Sequence, residues 1–143
     1  MTKSVLFLCA AALLSCGTAL DVLAQADTPQ DQPMSITIPM PQGSVPEGIA
    51  IKDGIAFVSS VSQGTVYRID LESGEPEVLK EGSGQSSLGL LIDEQDRLFV
   101  AGGRGGTVEV LDAKSGKVLA SYKVADAEET FINDVDRLGD DEP

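Results

Sequence analysis

A segment of eighteen residues occurs twice in this chain, and this repeat constrains the fold more than any other feature. Phe57 to Gly74 reads FVSSVSQGTVYRIDLESG and Phe99 to Gly116 reads FVAGGRGGTVEVLDAKSG, with eight of the eighteen pairs identical and each pair 42 positions apart. A period in the low forties, with strand-like content and no helical pattern, is typical of β-propeller blades. Because a blade buries both faces only against neighbouring blades, one repeat alone does not make a domain.

Turn-forming residues divide each repeat into four apolar segments, which predict four strands per repeat. In the first repeat the predicted strands are Gly48–Lys52, Ile55–Ser60, Thr65–Asp70 and Pro76–Glu81. In the second repeat they are Gly89–Asp93, Arg97–Ala101, Thr107–Asp112 and Lys117–Val124. Asp70 and Asp112 end corresponding strands, where a carboxylate can accept hydrogen bonds from the amides of the turn that follows.

The predicted fold class is therefore all-β: a partial β-propeller of two antiparallel four-stranded blades plus the first strand of a third. The blades are expected at residues 45–84 and 85–126, and the third begins at residues 130–135, so that the partial propeller spans 45–135. Residues 27–44 are interpreted as a linker and an N-terminal strand, with Ser35–Ile38 as that strand. Residues 136–143 are acidic and lack apolar alternation, which indicates a disordered tail.

The first 26 residues have the pattern of a signal peptide. Lys3 supplies the positive charge, Val5–Leu14 is an apolar run of suitable length, and Ala24-Gln25-Ala26 is a small-x-small cleavage site. A second interpretation remains open, because Leu13–Gly17 resembles a bacterial lipobox in which Cys16 is lipidated. Both interpretations predict export, either to the periplasm or medium or to a membrane surface through a lipid on Cys16.

Charge and composition exclude several classes of function. The formal net charge is −13, which disfavours nucleic acid as a partner, and no second apolar run is long enough for a transmembrane segment. The chain contains no histidine, so it cannot form a Ser-His-Asp or Cys-His site. Both cysteines, Cys9 and Cys16, lie in the leader. The chemistry left to carboxylates and amides suits a hard, oxygen-preferring cation such as calcium.

With the strands placed, the sequence resembles the SMP-30/gluconolactonase/LRE-like group and the related NHL-type six-bladed propellers. The residues that carry the resemblance are Pro46–Ile51, Phe57–Ser60, Gly64–Asp70 and Ile132–Val135. The resemblance implies descent from metal-dependent hydrolases of lactones or similar esters. It also implies an N-terminal portion only, because the later blades of the group have no counterpart in this sequence.

The resemblance also suggests two site residues. A Glu at the start of the first inner strand binds a divalent metal in that group, and Glu47 occupies that position. An Asn that opens a later blade lies near substrate and metal, and Asn133 matches it. Each residue also has a plainer interpretation, Glu47 as a solvated residue after Pro46 and Asn133 with Asp134 as a turn. Since the other ligands belong to absent blades, the expectation is an incomplete calcium site and a chain that is inactive alone.

A different function remains open at this point, an exported module that recognises a partner or assembles with itself. Two blades leave both outer faces uncovered, so self-association or contact with missing blades is expected. Two blades cannot cover all of eight apolar residues within the chain: Ile49, Ile51, Phe57, Val66, Leu90, Ile92, Leu98 and Val100. The glycine-rich segment Gly102–Gly106 is interpreted as a hairpin turn, because no Lys-Ser/Thr pair and no helix follow it.

Overall fold

A computed structural model describes residues 36–127 and 129–138, and these residues form two four-stranded antiparallel sheets with no helix. The prediction of an all-β fold is thus confirmed for the described part of the chain. The predicted leader, Cys16, the linker at 27–33 and residues 139–143 lie outside the described residues.

The first sheet contains four consecutive strands, each hydrogen-bonded to the next along the chain. They are β1 (Pro46–Lys52), β2 (Ile55–Ser60), β3 (Val66–Asp70) and β4 (Pro76–Lys80). The four predicted spans agree with these bounds to within two residues. The register of β1 against β2 shifts between Pro46 and Ile49, which places a bulge beside Glu47.

The second sheet repeats the plan in the same order. Its strands are β5 (Leu90–Ile92), β6 (Arg97–Ala101), β7 (Thr107–Asp112) and β8 (Val118–Lys123). The prediction of eight strands in two groups of four is confirmed here as well. Since sequential antiparallel strands need only short turns, local turn chemistry is enough to set this order.

The turn after the third strand is capped by an aspartate in both sheets. Asp70 Oδ1 accepts a hydrogen bond from Ser73 N at 3.2 Å, and Asp112 Oδ1 accepts one from Ser115 N at 2.7 Å. The Ser115 hydroxyl also donates to Asp112 at 2.6 Å. These hydrogen bonds from Ser115 hold the pKa of Asp112 below its ordinary value. The predicted capping role of the two aspartates is confirmed.

The predicted first strand of a third repeat is not formed. Within residues 129–138, Ile132 makes one isolated antiparallel bridge with Gly103. A strand is stable only where neighbouring backbone supplies partners along its length. The backbone of this segment bonds to Gly103 through Ile132 and to Gly89 through Asn133, which are too few partners for a strand, so it stays irregular apart from that bridge.

The predicted N-terminal strand is also absent from the described residues, since Ile36, Thr37 and Ile38 are not in a strand. Instead, Ile38 and Met40 pack their side chains on a cluster of buried residues of the first sheet. That cluster consists of Ala56, Val58, Tyr67 and Ile69. The apolar residues of this segment thus pack on the face of the first sheet, and the segment's backbone does not join a sheet as a strand.

The main core lies between the two sheets. It is formed by Phe57 and Val66 of the first sheet and by Leu90, Leu98, Val100, Leu111 and Ala113 of the second. We call this contact the seam. The eight apolar residues that were expected not all to be covered include two, Ile49 and Ile51, that remain mostly exposed, at 62% and 57%. The others lie in the seam or pack against it.

Two ion pairs join the sheets beside the seam. Lys80 Nζ lies 2.8 Å from Glu109 Oε2, and Lys52 Nζ donates to Asp96 in the turn between β5 and β6. The hydrogen bond to Asp96 raises the pKa of Lys52 above its ordinary value. Because ion pairs at a protein surface contribute only about 0–1 kcal/mol each, the apolar seam is the main source of cohesion between the sheets.

We predict that Leu98→Ala lowers the free energy of unfolding by about 2–5 kcal/mol, because the Leu98 side chain is fully buried in the seam and its loss leaves a cavity. Urea denaturation followed by far-UV circular dichroism measures the change. The matched control is Leu119→Ala on β8, where the side chain is 51% exposed and the expected cost is below about 1 kcal/mol. Equal losses of unfolding free energy in the two variants would contradict a stabilising role of the seam.

Candidate functional site

The first strands of both sheets and the segment after β8 enclose a groove of about 420 Å³. Both residues singled out from the sequence, Glu47 and Asn133, lie in its wall. The other lining residues are Gly48, Ile49, Gly89, Leu90, Leu91, Asp134, Val135 and Asp136. We call it the acidic groove, because three of its lining side chains are carboxylates.

Glu47 is positioned by a buried hydrogen-bond bridge that the sequence did not reveal. The Ser59 side chain is fully buried, accepts a hydrogen bond from Gly48 N at 2.8 Å and donates one to Leu88 O at 2.5 Å. A Cβ atom on Gly48 would lie 2.9 Å from Ser59 Oγ and closer still to the carbonyl oxygen of Leu88. Glycine is therefore required beside Glu47, since any larger residue would push the first sheet away from the second.

Asn133 is positioned through its backbone. Its carbonyl oxygen accepts a hydrogen bond from Gly89 N at 2.9 Å. One residue earlier, Ile132 and Gly103 exchange two backbone hydrogen bonds of 3.0 Å each. A Cβ atom on Gly89 would lie 2.6 Å from the Cα of Asp134, so this glycine also permits a close approach of two chain segments. The segment is thereby fixed against the second sheet although it forms no strand.

The donor set of the acidic groove is too small for a complete cation site. Nowhere in residues 36–127 and 129–138 do three or more His, Cys, Asp or Glu side chains converge closely enough to hold a metal ion. Calcium takes six to eight oxygen ligands, several of them carboxylates. The residues present thus do not fit a resident metal on their own, and Glu47 supplies at most one ligand of such a shell.

The glycine-rich segment Gly102–Gly106 forms the turn between β6 and β7, as the sequence predicted. Gly105 N donates to Gly102 O at 3.0 Å, and Gly106 N donates to Gly103 O at 3.3 Å. Because these amides bond within the turn, the segment is built as a hairpin and not as a phosphate cradle.

A second, smaller cavity of about 180 Å³ lies where β1 and β5 end, away from the acidic groove. Three cationic residues, Lys52, Arg68 and Lys114, line it together with Phe57 and Ile92. Two of the cations are committed to contacts within the chain. Arg68 binds Glu77 at 2.6 Å, and Lys52 donates to the turn between β5 and β6. Of these two cations, Lys52 links the two sheets, whereas Arg68 pairs within the first sheet.

Asp93, in that same turn, is a buried carboxylate with several partners. Its Oδ1 accepts from Gln95 N and Arg97 N at 2.9 Å each, and its Oδ2 accepts from Arg97 Nε at 2.6 Å. Burial alone would raise the pKa of Asp93, but the hydrogen bonds and the charge of Arg97 outweigh it and leave the pKa below the ordinary value. The ionised carboxylate thus stabilises the folded turn.

Comparison with known proteins places the chain in no family. No protein-family model and no curated protein matches it. Among solved structures, the computationally designed protein Ika4 is 19% identical with a TM-score of 0.47, over 58% of this chain and 49% of the designed one. The designed protein Ika8 is 11% identical with a TM-score of 0.38, over 66% of this chain and 41% of the designed one. The chain thus spans half or less of the length of both.

Within residues 36–127 and 129–138, no helix is long and apolar enough to cross a bilayer.

We predict that Asp93→Asn destabilises the chain by about 1–3 kcal/mol at pH 6, because the charged hydrogen bond to Arg97 is lost. Since the pKa of Asp93 is lowered on folding, its contribution is present above the unfolded value of about 4 and disappears as the pH falls further. Urea unfolding at pH 6 and pH 2.5 should therefore show a difference between wild type and variant that shrinks in acid.

The control for this pH effect is Asp126→Asn, where the carboxylate is 88% exposed and pairs with Lys123 at the surface. This variant should unfold like the wild type at both pH values. A stability difference for Asp93→Asn that stays constant from pH 6 to pH 2.5 would show that the ionised carboxylate has no such role.

Proposed function

We propose that this chain is an exported, propeller-type module related to the SMP-30/gluconolactonase group, which binds a small hydroxylated ligand in the acidic groove and lacks hydrolase activity by itself. The observation that carries the proposal is the meeting of Glu47 and Asn133 in one groove. Both residues were selected from separate parts of the sequence because of the family resemblance. The two sheets joined face to face by the seam are what two neighbouring propeller blades require.

The chemistry of the groove supports a polar ligand. Its carboxylates at Glu47, Asp134 and Asp136 are hydrogen-bond acceptors suited to hydroxyl groups, and the Asn133 side chain can both donate and accept. A sugar-derived polyol or its lactone presents hydroxyl groups of this kind. The same carboxylates attract a cation from solution, but the small number of converging ligands limits its affinity.

Hydrolysis requires more than the groove provides. Attack of water on a lactone carbonyl needs a polarising group for the developing oxyanion and a base for the water. The groove offers carboxylates that could act as a base, but in the described residues no cationic side chain lines it. We therefore propose binding without turnover, with the catalytic partners supplied by further blades where these are present.

A second candidate function is a binding or scaffold module that acts through its outer faces. The observation in its favour is the exposure of large apolar side chains on the first and last strands of the two sheets, such as Ile49, Ile51, Leu119 and Tyr122. Ile49 and Ile51 lie on one strand, β1, and exposed apolar side chains grouped in this way are typical of an interaction site.

We predict that the purified chain binds calcium with a dissociation constant of about 1 mM or weaker, because Glu47 is one ligand where several are needed. Isothermal titration calorimetry measures it, and Glu47→Gln should weaken even this binding. Glu72→Gln, in an exposed turn outside the groove, is the control and should change nothing. A micromolar site that disappears in Glu47→Gln would show that the groove is a complete metal centre.

We predict no hydrolysis of a simple lactone above the uncatalysed rate, with or without 10 mM calcium (roughly ten times the expected dissociation constant). A pH-stat assay follows the acid released. Binding of the corresponding open-chain polyol, measured by calorimetry, separates the two halves of the proposal. Calcium-dependent turnover that is lost in Glu47→Gln would overturn the proposed lack of activity, and absence of polyol binding would overturn the proposed ligand class.

A further inference from the structure

The outer face of the first sheet is made of residues whose counterparts in the second sheet already bind another sheet. Seven apolar residues lie on this outer face, and one of them, Tyr67, has a glutamate, Glu109, as its counterpart. The other six are Ile49, Ile51, Ala56, Val58, Ile69 and Leu71. Moved along the chain by the repeat distance of 41 or 42 positions, they become Leu90, Ile92, Leu98, Val100, Leu111 and Ala113. All six counterparts form or adjoin the second sheet's half of the seam.

The correspondence also holds in the other direction. The first sheet contributes Phe57 and Val66 to the seam, with Ala50 packed beside them. Their counterparts in the second sheet are Phe99, Val108 and Leu91, so the two central residues are identical. These counterparts lie on the outer face of the second sheet, on the side opposite the seam, and are only partly buried.

We infer that the outer face of the second sheet of one copy packs on the outer face of the first sheet of another copy, head to tail, in the manner of the seam. Each chain thus carries one half of the same apolar contact at each end. The intrachain seam is the template for the contact between copies. Glu47 and Asn133 lie outside both faces, whereas Ile49 and Leu91 belong to the faces and also line the acidic groove.

Both outer faces are covered only in part by the chain itself. Ile38 and Met40 lie over the middle of the first sheet's outer face and leave Ile49 and Ile51 exposed at 62% and 57%. In the seam, the neighbouring sheet covers the equivalent middle strands instead. A copy docked in the same manner therefore displaces the segment of Ile38 and Met40.

The outer face of the second sheet has a comparable cover. Val135 and Leu138 face Leu91 and Phe99 across a groove of about 450 Å³. Leu138 remains 83% exposed, so this cover contributes little burial. Tyr122, on β8 and paired with Val108 across the strands, is 57% exposed beside it. When Val135 and Leu138 move away, the surface that becomes exposed has the residues equivalent to the first sheet's half of the seam.

The formal charge of −13 opposes this association and makes it depend on salt concentration. Like charges repel copies at low ionic strength, and salt screens the repulsion within about 10 Å at 0.1 M. Association driven by the apolar faces therefore strengthens as salt is added. A head-to-tail contact closes into a ring if the rotation per copy allows it and otherwise continues into longer assemblies.

The test uses two variants, each with one altered face. Ile51→Lys alters the first sheet's outer face, and Tyr122→Lys alters that of the second; both side chains are more than half exposed in the single chain. Sedimentation velocity at rising protein concentration, at 0.5 M salt, gives the masses. We expect the wild type to form assemblies and each variant alone to remain monomeric, with association weakened at least about tenfold because a buried ammonium is costly.

A mixture of the two variants gives the sharpest outcome. Ile51→Lys keeps an intact second-sheet face and Tyr122→Lys keeps an intact first-sheet face, so the mixture should form one-to-one dimers and nothing larger. Gln63→Lys, in an exposed turn, is the charge-matched control and should assemble like the wild type.

Three results would overturn the inference. A wild type that stays monomeric at all concentrations and salt levels excludes the contact. A variant that dimerises alone shows a symmetric contact between like faces, and variants that fail to pair in the mixture exclude the head-to-tail arrangement. Circular dichroism verifies that each variant is folded, and Ile51→Thr replaces Ile51→Lys should the lysine prevent folding.

Discussion

The apolar contact between the two sheets is the interaction on which the other features depend. A four-stranded sheet of this size cannot bury both faces by itself, and each sheet here uses one face to cover its neighbour. The seam aligns the first strands of both sheets side by side. The buried Ser59 bridge between Gly48 and Leu88 follows from this alignment, and so does the position of the acidic groove.

The repeat explains why the outer faces of the two sheets resemble the two halves of the seam. Side chains alternate between the two faces of a strand. An apolar residue in the first sheet and its counterpart one repeat later therefore lie on corresponding faces of their two sheets. Leu98 in the seam and Ala56 on the outer face are related in this way. A chain built from such units has, besides the seam, one partly covered apolar face on each sheet.

Most of the fold could be predicted from local sequence. Strand positions follow from apolar segments bounded by turns such as those of Asp70 and Asp112, where one carboxylate decides the turn. The predictions of extra strands around Ile38 and Ile132 were wrong for the same reason. Their apolar pattern was compatible with a strand, but whether backbone partners lie alongside is decided by the tertiary arrangement.

The candidate site could be predicted only in outline. Glu47 and Asn133 were accessible through a family resemblance, whereas the Ser59 bridge and the hydrogen bonds around Asp93 were not. The repeat contains one indication of the role of Ser59. Its counterpart 42 positions later is Ala101, which is also small and fully buried. A requirement for a small residue at that position is visible, but the hydrogen bond across the seam is not, because it joins residues of different repeats.

The most direct test of this account is native-state hydrogen exchange, resolved by residue, on the monomeric chain at low concentration. If the seam makes the two sheets one cooperative unit, central amides such as those of Val58 and Val100 should exchange with the same free energy of opening, and Gly89 across the groove should be protected with them. Two separate opening free energies, one for each sheet, would contradict the account.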